Sequence, residues 1–289
     1  MKITSVTALP FAPDKIPDSY GIPATRNYVA VKVTTDEGVT GWGDATCGPL
    51  SVSAMVDEFG KLLVGKDPSR IEEHWQTLYH HFFVRGGPIQ VSAISGIELA
   101  LWDIKGKVLG VPIYEMLGGL MRDRIWAYGR WDGLTPEEAA EHALRNVSEG
   151  LTALKGDPFD HMGLFITQEA EKKAIETFRA VREAVGDEIE LLVEVHGRLT
   201  PAAAIRIGNQ IEPYRPFVFE EPVPFQNMDA MKRVADSVNI PIATGERLYT
   251  KWDYEDLLKK QIFAMIQHDV LLAGSIVELK KIAAMTDSE

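Results

Sequence analysis

The stretch Leu191-Leu192-Val193-Glu194 is a short apolar run that ends in a carboxylate, and the chain repeats this pattern twice. Phe217-Val218-Phe219 leads into Glu220, and Pro241-Ile242-Ala243-Thr244-Gly245 leads into Glu246. The three carboxylates follow one another at intervals of 26 residues. An apolar run ending in a charge, then a helical stretch, then another such run predicts repeated strand–helix units.

The three repeated carboxylates also predict a metal site. Parallel strands that close into a barrel bring their C-terminal ends to one face, so Glu194, Glu220 and Glu246 would converge there. Like charges held together repel one another unless a cation lies between them. A ligand set of carboxylate oxygens suits a hard ion, so we expect Mg²⁺ rather than Zn²⁺, and with it an enzyme.

The strand–helix alternation extends outward from these runs over residues 123–289. It begins with a strand predicted at Ile125–Tyr128 and reaches a sixth strand predicted at Phe263–Gln267. Such alternation is typical of an α/β fold with parallel strands. Polar strand ends without a G-x-G-x-x-G loop favour a (β/α)-barrel, a modified TIM barrel, over an open sheet. Six units are predicted where such a barrel has eight, so we interpret the chain as part of a longer protein whose C-terminal strands are missing here.

Residues 1–122 have a different pattern. Runs at Ile3–Leu9, Tyr28–Val33 and Val39–Asp44 predict a three-stranded antiparallel meander. Apolar residues at helical spacing then predict several helices, of which Val91–Leu109 is the longest. We therefore expect an α+β domain ahead of the barrel, with a boundary near residue 122.

The overall composition narrows the class of partner and the compartment. A net charge of −12 with no basic stretch argues against nucleic acid. No apolar run approaches the ~20 residues of a membrane span, so we expect no membrane partner. The single cysteine, Cys47, and an N-terminus without a long apolar core suit a reducing cytoplasm.

Four further residues are candidates for chemistry. His196 is two positions after Glu194, so the two side chains should lie on the same side of a strand, although a histidine that only accepts a backbone hydrogen bond is the plain alternative. Asp269 follows the sixth strand and could orient a histidine base. Lys155 and Arg247 could bind a substrate carboxylate, or each could instead form a structural salt bridge.

Motifs along the whole chain resemble the enolase superfamily, in its mandelate racemase and muconate lactonizing enzyme branch. Within that branch the chain is most similar to galactonate dehydratase-like sugar-acid dehydratases. The motifs are Gly41-Trp42-Gly43-Asp44, Ser95–Gly106, Leu117-Gly118-Gly119, Glu194-Val195-His196-Gly197-Arg198, Phe219-Glu220-Glu221-Pro222 and Ala243-Thr244-Gly245-Glu246-Arg247.

The resemblance implies a capping domain over the barrel and Mg²⁺ bound by Glu194, Glu220 and Glu246. It implies that a proton α to the carboxylate of a sugar acid is removed and that His196 protonates the departing 3-hydroxyl, giving a 2-keto-3-deoxy sugar acid. The base would be a histidine of a seventh strand, paired with Asp269 and beyond Glu289. The loops at Ile16–Asn27 and Asp44–Ser51 would close over the substrate, and we expect a homo-oligomer.

Two departures from the family pattern bear on the function. The first metal ligand of the family is usually Asp, whereas this chain has Glu194. The Lys-x-Lys of the second strand is here Lys155-Gly156-Asp157, which disfavours a lysine base and favours dehydration by histidines. An epimerase, racemase or cycloisomerase of another carboxylate remains an alternative within the same scaffold, and a non-catalytic sugar-acid-binding relative is an alternative of another class.

Overall fold

A computed structural model describes residues 1–11, 28–159 and 165–287. The loop predicted at Ile16–Asn27 to close over a substrate lies outside the described residues. The strands are β1 (Ile3–Phe11), β2 (Tyr28–Thr35), β3 (Thr40–Ala45), β4 (Gly129–Arg130), β5 (Ala153–Gly156), β6 (Glu190–Glu194), β7 (Val218–Glu220), β8 (Ile242–Thr244) and β9 (Met265–Ile266). The helices are α1 (Pro49–Leu63), α2 (Ile71–Tyr79), α3 (Pro88–Leu109), α4 (Ile113–Met116), α5 (Pro136–Ser148), α6 (Gln168–Val185), α7 (Pro201–Ile211), α8 (Met228–Ala235), α9 (Thr250–Lys260) and α10 (Ser275–Thr286), with a short 3₁₀ turn at Glu212–Tyr214.

The described chain divides into two compact units. One comprises the described residues of the ranges 1–123, 246–256 and 268–289, and the other comprises the described residues of 124–245 and 257–267. The chain thus crosses between the units more than once, whereas the sequence suggested a single boundary near residue 122. That boundary stays a prediction.

Strands β1, β2 and β3 form the predicted antiparallel meander, and helix α3 packs on it. The packing explains the glycines of the Gly41-Trp42-Gly43 motif. A Cβ atom at Gly41 would lie 2.0 Å from the carbonyl oxygen of Ala100, and one at Gly43 would lie 2.0 Å from that of Gly96. Only glycine lets the strand and the helix approach this closely.

Helix α3 is the main apolar element of this unit. It begins at Pro88, three residues before the predicted start, because proline is tolerated in the first turn, where its missing N–H has no helical partner. It ends at Leu109, and Gly110 caps it with a left-handed backbone (φ 68°). Ile97 and Leu101 are fully buried in the core of the unit.

The second unit contains six parallel strands in the order β4-β5-β6-β7-β8-β9. Helices follow the strands in alternation, as the sequence predicted. Threonine side chains at Thr135, Thr167 and Thr200 accept a hydrogen bond from the first turn of α5, α6 and α7, which fixes where each helix begins. The α/β class, with six parallel strands after an N-terminal α+β region, is confirmed.

The first strand of this sheet differs from the prediction. Ile125–Tyr128 was expected to be the strand, but β4 is formed by Gly129–Arg130. Ile125 is 80% exposed and Trp126 is 59% exposed, so this apolar run is not buried in the sheet. The strand predicted at Ile125–Tyr128 is therefore wrong, because an apolar run forms a strand of the sheet only where it packs into the core. The last strand is also shorter than Phe263–Gln267. In the part of the chain that the structure describes, no helix is long and apolar enough to cross a membrane.

Candidate active site

Three carboxylates come together at the carboxyl ends of neighbouring strands. Glu194, Glu220 and Glu246 each offer one oxygen within 4.8 Å of the others. Glu194 and Glu220 are almost completely buried, and Glu246 is half-buried. The grouping that the 26-residue spacing predicted is therefore present in the structure.

The sheet register explains why the first two carboxylates meet. Strands β6 and β7 are parallel, and Glu194 pairs directly with Glu220 in their register. The third carboxylate follows β8 after Gly245, whose φ of 129° is rarely adopted by residues with a side chain. A Cβ atom at Gly245 would also lie 3.1 Å from the carbonyl oxygen of Gln267, so this position favours glycine twice over.

Lys155, at the end of β5, lies between two of the carboxylates. Its Nζ is 2.8 Å from Oε2 of Glu194 and 2.5 Å from Oε2 of Glu220. Burial opposes the ammonium charge, but the two carboxylates outweigh this and raise the pKa of Lys155. The structure thus has Lys155 in the ion pair that the sequence left open as an alternative to substrate binding.

Among the ion pairs recorded for Glu194 and Glu220 in the described residues, the charge is not balanced. One lysine contacts two buried carboxylates, and a third carboxylate lies within reach. Burial, together with the neighbouring Glu194, raises the pKa of Glu220, which also accepts a hydrogen bond from Nε2 of Gln267 at 2.9 Å. An additional cation would lower the cost of keeping these oxygens ionised, so the donor set fits a divalent metal ion.

His196 lies beside this group on an unusual backbone. Its φ is 55°, and the following residue, Gly197, donates its N–H to the carbonyl oxygen of Glu221 at 2.7 Å. The N–H of His196 donates to Oε1 of Glu194 at 2.7 Å, so the carboxylate and the histidine are tied together at the backbone. The imidazole is 50% exposed and remains accessible from solvent.

The imidazole of His196 is held by a second pair of charged residues. Its Nδ1 is 2.8 Å from Oδ2 of Asp157, and this hydrogen bond raises the pKa of His196. Arg198 contacts both oxygens of Asp157 through one guanidinium nitrogen at 2.5 Å. From the sequence, Asp157 marked only the place where a second lysine is missing, and Arg198 was part of a motif with no role assigned to it. The signal was available, because both residues are two positions from a strand-end candidate.

Two other predicted residues have no demonstrated part in this group. The carboxylate of Asp269 accepts a hydrogen bond from the backbone N–H of Leu271 at 2.7 Å and so stabilises its own turn. Its neighbour His268 stacks on Tyr254, with ring centroids 5.0 Å apart, and burial lowers the pKa of this histidine. The roles expected for Asp269 and Arg247 stay predictions.

Two family models match most of the chain. The model described as mandelate racemase / muconate lactonizing enzyme, N-terminal domain, matches residues 4–118, and the model described as enolase C-terminal domain-like matches residues 138–288. These matches cover both the antiparallel meander with its helices and the strands that carry the carboxylates.

Curated relatives and solved structures agree with the family models. A D-galactonate dehydratase of Ralstonia pickettii is 40% identical over all of this chain and 72% of its own length. A protein of the same name from Pectobacterium atrosepticum is 39% identical, also over 72% of its length.

Among solved structures, an enolase superfamily member from Salmonella Typhimurium has a TM-score of 0.90 and 35% identity, covering 99% of this chain and 78% of its own. A mandelate racemase/muconate lactonizing enzyme-like protein from Roseovarius sp. TM1035 has a TM-score of 0.91 and 37% identity, covering 100% of this chain and 76% of its own.

Proposed function

The chain belongs to the mandelate racemase and muconate lactonizing enzyme family of the enolase superfamily, and from this premise we propose that it is a Mg²⁺-dependent dehydratase of a sugar acid. The relatives named D-galactonate dehydratase support sugar-acid dehydration at the level of the family. The product would be a 2-keto-3-deoxy sugar acid.

The observation that carries the proposal is the charge of the carboxylate group. Glu194, Glu220 and Glu246 bring three carboxylates within 4.8 Å, and Lys155 is the cation that contacts two of them. Structural ion pairs in proteins are usually balanced, because an unpaired buried charge costs several kcal/mol, on the order of 3–5. An excess of negative charge at the ends of neighbouring parallel strands is what a divalent cation site requires.

The three glutamates would hold the metal through their oxygens. When bound, Mg²⁺ would supply positive charge that stabilises the negative charge developing on the substrate carboxylate as its α-proton leaves. Lys155 and Arg247 would bind and orient the acid. Lys155 would then exchange part of its contact with Glu194 and Glu220 for the substrate, a change that its flexible side chain permits.

His196 would act as the general acid on the departing hydroxyl. It is close in sequence and in space to the metal-ligand candidate Glu194, and its imidazole is half exposed, so a bound substrate can reach it. The raised pKa of His196 increases the fraction that carries a proton near neutral pH, as a general acid needs. The expected base is a histidine that pairs with Asp269.

The proposal is tested by supplying the full-length protein, which includes the expected seventh strand and its histidine base, with Mg²⁺ and a panel of aldonates that contains D-galactonate, and assaying for 2-keto-3-deoxy products. The reaction is run in D₂O so that exchange at the α-carbon is detected even without dehydration. The control is His196→Asn, which should lose product formation and retain α-exchange. Absence of both product and α-exchange with every acid would rule out the enzyme.

The proposal also includes the binding partner, the oligomeric state and the cellular compartment. The partner would be a small sugar acid rather than nucleic acid or a membrane. A homo-oligomer in the cytoplasm is expected, and size-exclusion chromatography with light scattering measures the assembly directly.

A further inference from the structure

Asp157 occupies a position that connects two functional strand ends. It follows β5, two residues after Lys155, and its side chain is only 5% exposed. Among the hydrogen bonds of the described residues, none joins Asp157 to the three carboxylates, and its side chain faces His196, which follows β6. Because the carboxylate of Asp157 is buried, its hydrogen bond to the imidazole has a fixed direction. A pair of solvent-exposed side chains would not hold such a direction.

Arg198 fixes Asp157 from the other side. Its guanidinium contacts both oxygens of Asp157 at 2.5 Å, and it donates to the carbonyl oxygens of Val195 at 2.8 Å and Phe159 at 3.2 Å. The N–H of Phe159 donates to Oδ1 of Asp157 at 3.0 Å. Two donors, Nη2 of Arg198 and the N–H of Phe159, therefore hold the carboxylate, which leaves it little freedom to rotate.

Resting on the proposed function, we infer that Asp157 and Arg198 are positioning residues that aim the imidazole of His196 at the departing hydroxyl of the substrate. An ionised carboxylate only accepts hydrogen bonds, so Nδ1 of His196 must donate to Asp157. The other nitrogen, Nε2, is then the one presented to the substrate. This assigns to Asp157 a task that the lysine of a Lys-x-Lys motif could not perform, because an ammonium group has no acceptor.

The step that this arrangement serves balances as follows. The electron pair of the C2–H bond first moves into the substrate carboxylate as the proton leaves. It then forms the C2=C3 bond as the C3–O bond breaks, and the pair of that bond goes to the oxygen. The proton on Nε2 of His196 passes to this oxygen, so hydroxide leaves as water. The C2 proton passes to the base of the proposed function. An imidazole held in the wrong orientation would slow only the proton transfer from His196 to the leaving oxygen.

A purely structural role for the pair is the competing explanation, and the same unit contains a matched example. Glu171 receives a two-oxygen contact from Arg206, at 2.8 and 3.1 Å from its Nε and 2.5 Å from its Nη2. This pair ties helix α6 to α7 and has no histidine partner among the hydrogen bonds of the described residues. Glu171→Gln therefore removes a comparable carboxylate–arginine pair without touching His196.

The first experiment measures the imidazole directly and needs no turnover. Metal-free protein labelled with ¹⁵N-histidine is examined by long-range ¹H–¹⁵N NMR, with His196→Asn used to assign the signal. We expect a protonated Nδ1 in the wild type, with a change at that nitrogen in Asp157→Asn and none in Glu171→Gln. An unprotonated Nδ1 in the wild type would overturn the inference even if no variant folded.

The second experiment changes the leaving group of the substrate. It distinguishes a misoriented His196 from a general disturbance of the folded structure. Fluoride departs with less need for a proton than hydroxide, so 3-deoxy-3-fluoro-D-galactonate is compared with D-galactonate. We expect Asp157→Asn to lower kcat about 10- to 100-fold for the hydroxyl substrate with KM nearly unchanged, and to change fluoride elimination less than about 3-fold. Equal losses with both substrates would show a structural role.

The two hypotheses fail in different ways. If the wild type shows neither elimination nor α-exchange, the proposed function is wrong, and the NMR result still decides whether Asp157 orients His196. If the wild type dehydrates D-galactonate and Asp157→Asn matches Glu171→Gln in kcat and in the NMR signal, the dehydratase stands and the positioning role is wrong.

Discussion

Two groups of buried carboxylates differ in how their charge is balanced. At the strand ends, Glu194 and Glu220 share a single lysine, Lys155, and Glu246 adds a third negative group nearby. In helix α10, by contrast, the fully buried Glu278 has two lysines, with Lys251 at 3.2 Å and Lys281 at 2.9 Å. Lys281 also lies 2.7 Å from Glu72, so this group pairs two carboxylates with two lysines, whereas the strand-end group has three carboxylates and one lysine.

The comparison teaches that charge balance separates a metal-site candidate from a structural salt bridge better than burial does. Both groups are buried and both contain glutamate and lysine. The Glu278 group gains additional support because Lys251 lies 3.9 Å over the ring of Trp252, a cation–π contact. The strand-end group has instead an unfavourable electrostatic free energy, which a bound cation can lower.

The largest expected effect is the loss of metal binding in Glu220→Gln. Removing one of three charged ligands should weaken Mg²⁺ binding by more than about 100-fold, because even partners outside the ligand set cost 10- to 100-fold when lost. Isothermal titration with Mg²⁺, checked by Mn²⁺ electron spin resonance, measures the change. Wild-type affinity in this variant would show that the ligand assignment is wrong.

Removal of the shared lysine should affect the metal-free protein most. Lys155→Met leaves Glu194 and Glu220 without their common cation, which should lower the free energy of unfolding by about 3 kcal/mol without metal. Mg²⁺ should then stabilise the variant more than it stabilises the wild type. Urea denaturation with and without Mg²⁺ tests this, and Lys251→Met is the control in which Mg²⁺ should make no extra difference.

Glu278→Gln should do the reverse of Glu220→Gln. It leaves Lys251 and Lys281 without their buried carboxylate and should lower the free energy of unfolding by about 2 kcal/mol, since both lysines are partly exposed. Metal affinity should stay at the wild-type value in the same titration. A joint loss of stability and of metal binding would remove the distinction between the two groups.

The buried carboxylate of Glu98 lies outside both groups and sharpens the comparison through its dependence on pH. It accepts hydrogen bonds from Nε1 of Trp102 at 2.7 Å and from the N–H of Val277 at 3.1 Å, both neutral donors. Burial raises the pKa of Glu98 from 4.5 to about 7. Its folded pKa lies above its unfolded pKa, so its stabilising contribution is complete below pH 4.5 and is lost as the pH rises through 7.

The wild type should therefore lose about 2 kcal/mol more stability between about pH 5 and 8 than Glu98→Gln, which cannot ionise there. Urea denaturation of both proteins at the two pH values gives the difference, in which the other titrating groups cancel. Parallel pH profiles would show that the buried carboxyl group of Glu98 does not titrate in this range.

Much of the fold could be predicted because its signals are local. Threonine and proline at the starts of α5 and α7 and glycine at the end of α3 mark the helix ends, and each acts through its own backbone. The first parallel strand was misplaced because Ile125 and Trp126 are apolar but exposed, and exposure depends on what packs against a residue. No local pattern reports that.

The metal-ligand candidates could be predicted and their neighbours could not. Glu194, Glu220 and Glu246 recur at a fixed interval, and the register of parallel strands converts that interval into proximity. The contact between Asp157 and His196 joins residues 39 positions apart through side-chain directions alone. Sequence spacing along one strand does not fix such a contact between two loops.

By itself the sequence determined the class of the fold, the family and the three carboxylates, because periodicity and strand direction follow from backbone geometry. Only the tertiary structure decided how the charges are shared: Lys155 lies between two carboxylates, and Asp157, held by Arg198, faces His196. The reason is physical. Electrostatic interactions and hydrogen bonds depend on distances of a few ångströms between side chains, and folding sets those distances by packing elements that are far apart in the chain.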